Sequence, residues 1–314
     1  MSLESPLMRT KSQQQDEAPA GLRFYDVRSA DGTRLCAWTN GADGPPVLLC
    51  NGLGTSPYAW PALLEPDCGV RVISWNHRGI GGSDRPDDIE RVGMEAFLED
   101  AIAVMDDAGL SSCVVMGWSM GVNVAFELIN CHPERVDGIL AVGGVPGDTF
   151  NTMLAPLHLP RPLAKAALLG FAHVAKITGR AATPVTNRIP WNRVTTTALR
   201  YSGIMMSSSR HEEVREAVRE FMAADVDWYA HLALHASRHD RVSLSHIAVP
   251  VTLIAGRWDV LAGMRDVRTA AERIDDSRYV ELSGSHFLPL EQPEEIHAEL
   301  LDLIARAGQT QLHR

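Results

Sequence analysis

Short apolar runs alternate with stretches of helical spacing through the first half and the last fifth of the chain, and the middle breaks that rhythm. Leu22 to Arg28 and Leu35 to Thr39 read as two strands joined through the Asp31-Gly32 turn, a hairpin signal. Pro46–Cys50, Val70–Trp75, Cys113–Met116 and Gly138–Val142 are apolar runs bounded by turn residues, the pattern of buried parallel strands. Met94 to Ala108 and Val122 to Ile129 have helical periodicity. Between 147 and 247 strand character fades, and Leu163–Thr178 and His211–His235 are the clearest helical stretches. Alternation resumes with the strand Val249–Ala255, a helix at Met264–Ile274, the strand Tyr279–Leu282 and a last helix at Pro293–Ala307. That last helix carries the stripe Ile296, Leu300, Leu301 and Ile304. The pattern predicts an α/β fold with a doubly wound, mostly parallel sheet. The core is expected at 21–146 and 248–310, an inserted helical cap at 147–247 and a disordered polar tail at 1–20.

Composition narrows the functional classes. The 314 residues, 45% hydrophobic and 22% charged, are those of an ordinary globular protein. A formal net charge of −10 leaves no excess of cations for phosphates and argues against a nucleic-acid partner. Cysteines 36, 50, 68, 113 and 131 have no C-x-x-C spacing and fit a reducing cytoplasm. The first twenty residues lack the apolar middle of a signal peptide, and no stretch has the uncharged apolar length that crosses a bilayer.

The chemistry centres on Gly117-Trp118-Ser119-Met120-Gly121, which follows the apolar run at 113–116 and precedes a helix. A strand that turns sharply into a helix needs glycine on either side of the turn, and Ser119 is then held exposed at its tip. Ser119 is the candidate nucleophile. A serine hydroxyl needs a base to take its proton, and the base needs an orienting acid. In a parallel sheet the C-terminal strand ends share one edge. Asp259, past the strand 249–255, and His286, past the strand 279–282, both fall there. Asp148, after the strand 138–142, is an alternative acid; Asp266 fits less well because it falls inside the following helix. The oxyanion of an attacked carbonyl needs N–H donors. The backbone amide of Met120 and that of Leu53, in Gly52-Leu53-Gly54 after the third strand, are the candidates.

With these residues in hand the chain resembles the α/β-hydrolase superfamily over nearly all of 22–308. The matching motifs are Asn51-Gly52-Leu53-Gly54, Asn76-His77-Arg78-Gly79-Ile80-Gly81-Gly82-Ser83, Gly117-Trp118-Ser119-Met120-Gly121, Gly256-Arg257-Trp258-Asp259 and Gly284-Ser285-His286. The superfamily usually has His-Gly where this chain has Asn51-Gly52. The resemblance implies a serine hydrolase without a cofactor, of carboxylesterase type, acting on a small-molecule ester. Thioesters, lactones and carbon–carbon bonds are alternatives on the same triad, and a non-catalytic receptor is an alternative on the same fold. Haloalkane dehalogenases and epoxide hydrolases of this fold are known for an aspartate nucleophile, which Ser119 disfavours. The carbon–carbon hydrolases usually carry tryptophan after the histidine, where this chain has Phe287. Met153, Met205, Met206, Phe221 and Trp228 are candidate linings of an acyl pocket in the cap.

Two further signals compete with blander readings. His231, His235 and His239 share one helix face, but no accompanying motif argues for a metal, and none is expected. Leu157 to Arg180 mixes apolar residues with Arg161, Lys165, Lys176 and Arg180. Such a stretch could touch anionic lipid or an acidic carrier; more often it covers the site with its apolar side and shows its cations to water. The latter is the expectation here. His77 and Asp84 are expected to be structural.

Overall fold

A computed structural model describes residues 14–15, 18–148, 152–153, 160–186, 188–201, 205–206 and 209–312. Strands β1 (Arg23–Arg28), β2 (Arg34–Thr39), β3 (Pro46–Cys50), β4 (Arg71–Trp75), β5 (Cys113–Trp118), β6 (Val136–Val142), β7 (Val251–Gly256) and β8 (Ser277–Leu282) form one sheet in the order β1-β2-β4-β3-β5-β6-β7-β8. β1 and β2 pair as an antiparallel hairpin, β2 joins β4 antiparallel, and from β4 to β8 every pairing is parallel.

The expected elements are present, with shifted ends. Helices α1 (Met94–Asp107) and α2 (Met120–Cys131) cover the first part of the sheet. α7 (Met264–Ala271), the short α8 (Leu288–Glu291) and α9 (Pro293–Leu312) complete it. All six residues of β5 are buried, because helices cover both faces of the central strands. One apolar cluster, with Phe97, Val115, Phe126 and Leu253, lies on one side of the sheet; another, with Trp38, Met116, Leu140 and Leu300, lies on the other.

Between β6 and β7 the described elements are helical: α3 (Arg161–Thr186), α4 (Arg193–Arg200), α5 (His211–Met222) and α6 (Val226–Ala236). The single helix expected from His211 to His235 is divided. Asp225, extended at φ −64 and ψ 126, starts α6 afresh. The break is held by an Asp225–Arg85 ion pair at 2.7 Å and by the Val226 N–H donating to Thr183 Oγ1 at 3.0 Å. Most of the expected tail, and residues 157–159 of the basic stretch, lie outside the described residues. Gln15, expected in the tail, instead accepts from the Phe24 N–H at 2.8 Å, so it is tied to β1.

Candidate active site

The turn from β5 to α2 is shaped by two glycines. A Cβ at Gly117 would stand 2.6 Å from the Gly121 carbonyl oxygen, and one at Gly121 would stand 1.8 Å from that of Cys50. Neither position can hold a side chain. Between them Ser119 adopts φ 53 and ψ −116, a conformation residues with a Cβ rarely take. Its N–H donates to Val142 O at 3.0 Å and its carbonyl accepts from Val122 at 3.1 Å.

His286, after β8, brings Nε2 to 2.9 Å from Ser119 Oγ. Its Nδ1 lies 2.9 Å from Asp259 Oδ2, after β7. The carboxylate can only accept, so Nδ1 carries the proton and Nε2 is left as acceptor for the serine hydroxyl. Asp259 is fully buried at its side chain. Its other oxygen, Oδ1, accepts from the Leu261 and Ala262 N–H groups, each at 2.8 Å, so both oxygens are used and aimed. Gly143, at φ 52 after β6, makes room for the pair: a Cβ there would stand 3.4 Å from Asp259 Oδ2 and 3.7 Å from His286 Nδ1. The alternative acids lie in other pairings, Asp148 with Lys165 at 3.7 Å and Arg241 at 3.6 Å, and Asp266 with Arg161 at 2.9 Å.

Met120 is the first residue of α2, and its amide belongs to the unsatisfied N–H groups of a helix start. The Asn51–Gly54 loop passes beside it. A Cβ at Gly52 would stand 3.5 Å from Ser119 Cβ and 3.3 Å from the Trp118 ring, and half-buried Leu53 comes next. Asn51 anchors this loop: its Oδ1 accepts from Trp60 Nε1 at 2.7 Å, and its Nδ2 donates to Ser74 Oγ at 3.1 Å. The asparagine that departs from the usual His-Gly therefore has a definite packing role.

Sequence reasoning missed two further groups. The Trp118 indole N–H donates to the His286 carbonyl at 3.0 Å, tying the turn to the histidine loop. Glu291, buried on α8, accepts from Ser285 N at 2.6 Å, Ser285 Oγ at 2.7 Å and Met206 N at 2.6 Å. The available signal was a single acid closing the apolar run Phe287–Leu290, directly after the histidine. Its carboxylate joins that loop to the helical segment.

The strand-end loop after β4 is built on Arg78. This fully buried guanidinium donates to Asp100 at 2.7–3.1 Å, to Asp31 at 2.5 Å, to Ser29 Oγ at 3.0 Å and to Arg91 O at 2.9 Å. His77 is buried against Phe97, which pushes its pKa down to about 4. Asp84 pairs with Arg34 at 2.6 Å. These residues hold the loop in shape and do not reach Ser119.

The helical segment meets the sheet edge at several points. Phe221 and Tyr229 stack edge-on at 5.2 Å and flank Gly54. Met205 is buried with Val214 and Leu290. Trp228 donates to Arg78 O at 2.8 Å beneath the Arg85 guanidinium, so it is a junction residue. The three histidines separate. His231 and His235 meet Glu90, and their possible ligand atoms lie within 4.8 Å of one another. However, His231 Nδ1 faces the Lys176 ammonium at 2.8 Å and Nε2 faces Ile89 O at 2.7 Å, so both ring nitrogens are engaged. His239 lies beside Glu127 instead, at 3.4 Å.

Known proteins agree with this architecture. Bifunctional epoxide hydrolase 2 of Sus scrofa is 29% identical over 145 residues; the match takes in 45% of this chain and spans only 25% of that protein. The pimeloyl-[acyl-carrier protein] methyl ester esterase of Aromatoleum aromaticum is 26% identical over 269 residues, 83% of this chain and 98% of that protein. The crystal structure of the enol-lactonase from Burkholderia xenovorans superposes with a TM-score of 0.66 at 20% identity, over 90% of this chain and 100% of that one. The family model of the alpha/beta hydrolase fold matches residues 45–293, and the chain belongs to that family.

Proposed function

We propose that the chain is a serine hydrolase that cleaves a carboxylic ester through an acyl-enzyme on Ser119. The observation that carries this reading is the continuous relay from Ser119 Oγ to His286 Nε2 at 2.9 Å and from His286 Nδ1 to buried Asp259 at 2.9 Å. In this mechanism His286 takes the hydroxyl proton as Oγ attacks the ester carbonyl. Asp259 stabilises the imidazolium that forms. The tetrahedral oxyanion receives the Met120 and Leu53 amides, each donor of this kind supplying about 10²–10³ in rate. His286 then gives its proton to the departing alkoxide. Water, activated by the same imidazole, releases the acid and restores Ser119.

The nucleophile also discriminates among related chemistries. Epoxide opening in this fold is known for a carboxylate nucleophile, and this position holds a serine hydroxyl. The helices between β6 and β7 are proposed to act as the cap, whose Phe221 and Tyr229 rings lie against Gly54 of the loop beside Ser119. The substrate is proposed to be a small ester with an apolar acyl group.

A p-nitrophenyl ester series from acetate to laurate tests this reading. Wild type is expected to turn over steadily with a chain-length optimum. Ser119→Ala should lose about 10⁴-fold or more in kcat/KM while keeping its fold. Well-folded wild type that hydrolyses no ester in the series would sink the reading and leave carbon–carbon cleavage or ligand reception.

A further inference from the structure

Helix α3 is turned inside out. It buries its small residues Ala164, Ala172, Gly179 and Thr183; at α6, the Val226 N–H donates to Thr183 Oγ1, and a Cβ on Gly179 would stand 2.3 Å from the Asp227 nitrogen. Leu168 and Leu169 are half-buried, but most of its large apolar side chains face water: Leu163 is 65% exposed, Phe171 76%, Val174 58%, Ile177 81% and Val185 65%. An ordinary surface helix buries its large apolar residues and shows polar ones to water. The expected arrangement, apolar side inward over the site, is reversed. α4 repeats the feature, with Val194 76% and Tyr201 73% exposed on one face. Among the described residues, the exposed large apolar side chains outside 161–201 are Ile89, Trp258 and Leu301 alone.

Charge is segregated in the same place. From 149 to 211 the sequence contains no Asp or Glu and eight Lys or Arg, within a chain of net charge −10. The remaining residues therefore carry −18. Arg188 and Arg193 are exposed beside the apolar stripes, and Arg180 is 89% exposed at its side chain although its Nε lies 3.4 Å from Asp227.

We propose that this face docks on an anionic lipid surface. The 26 residues of α3 make a stripe about 39 Å long, which a fluid acyl boundary can cover along its whole length while Lys and Arg reach back to the headgroups. A second copy would bring the same cations against these, and the acids nearby, Asp148, Asp227 and Asp266, are already engaged with Lys165, Arg180 and Arg161 of this chain. A protein partner would need a matching apolar groove as well as acidic flanks. A lipid surface needs only its negative charge and its depth. The active-site relay is not part of the face, so docking leaves the chemistry intact.

Flotation with vesicles of phosphatidylcholine alone, or mixed with phosphatidylglycerol, tests the proposal on the full chain. Wild type should float with the mixed vesicles, and should lose that binding as salt is raised. Removing cations in the pair Arg188→Gln and Arg193→Gln should weaken binding about fivefold for each. The pair Phe171→Asp and Ile177→Asp should abolish it, with circular dichroism and hydrolysis of a water-soluble ester unchanged. Absence of binding to the mixed vesicles, or binding that survives both aspartates, overturns the proposal. So does concentration-dependent self-association, or capture of an acidic carrier protein, that those two aspartates remove while vesicles never bind.

Discussion

β5 with its turn and helix α3 both depend on a glycine against a neighbouring backbone, yet they place their bulk in opposite directions. At Gly121 the missing side chain lets α2 close onto the end of β3, and the large residues around it all go inward. At Gly179 it lets α3 close onto α6, and most of the large apolar residues go outward. Close approach is therefore one device with two uses. In the sheet it brings Ser119 to a fixed point above a sealed core. In α3 it seats a helix through its smallest residues and leaves the largest ones for something else to cover. The first arrangement is stabilised by burial of its own side chains; the second gains little from the side chains it displays.

The comparison is broken most severely at the site. In Asp259→Asn, Oδ1 can still accept from Leu261 and Ala262, but an NH₂ then faces His286 Nδ1. The imidazole must carry its proton on Nε2, facing Ser119, where it cannot accept one. A loss of about 10⁴-fold in kcat on the preferred p-nitrophenyl ester is expected, with little change in melting temperature. If instead the melting temperature falls steeply, the buried carboxylate is a structural member of the sheet edge, and the contrast between site and scaffold is lost.

A smaller effect belongs to the core alone and is read by pH. Burial lowers the His77 pKa from 6.5 to about 4, so the folded core refuses a proton that the unfolded chain accepts. Its contribution is complete above pH 6.5 and is lost as the pH falls toward 4, with a penalty that levels off at about 3 kcal/mol. Urea unfolding at a series of pH values should show this slope in wild type and a shallower one in His77→Leu.

The frame of the fold and the candidate triad were legible because they rest on local signals. Apolar runs of strand length, a glycine at each side of Ser119 and polar residues just past strand ends each carry their meaning within a few positions. What was not legible depends on partners far away in the chain. Glu291 takes hydrogen bonds from residues 206 and 285, and Trp118 from its turn reaches the carbonyl at 286. The division of the expected helix at Asp225 is held by Arg85 and Thr183. The orientation of α3 failed for a different reason. Periodicity shows that a helix has an apolar stripe, and the usual inference seats that stripe on the protein. Here the small residues Ala164, Ala172, Gly179 and Thr183 form the seat, and side chains of that size leave almost no mark on the spacing of apolar positions.

The finest test lies within α3 itself, where three substitutions sort seat from display. Gly170 has open space where a Cβ would go, so Gly170→Ala should stabilise by about 1 kcal/mol through helix propensity alone. Gly179→Ala gains the same propensity but drives its methyl toward the Asp227 backbone at 2.3 Å, and a net loss of about 1–3 kcal/mol is expected. Phe171→Ser removes a large aromatic side chain that is 76% exposed and should change stability by no more than about 0.5 kcal/mol. Urea midpoints of the three variants against wild type decide the matter. A Phe171→Ser loss as large as that of a core phenylalanine, about 3 kcal/mol or more, would mean that α3 seats its bulky face on the protein after all. Equal gains from both alanines would mean that α3 does not pack on α6 through Gly179. The predicted order, a gain, a loss and no change along one helix, follows only if the smallest residues hold α3 in place and the largest await a surface.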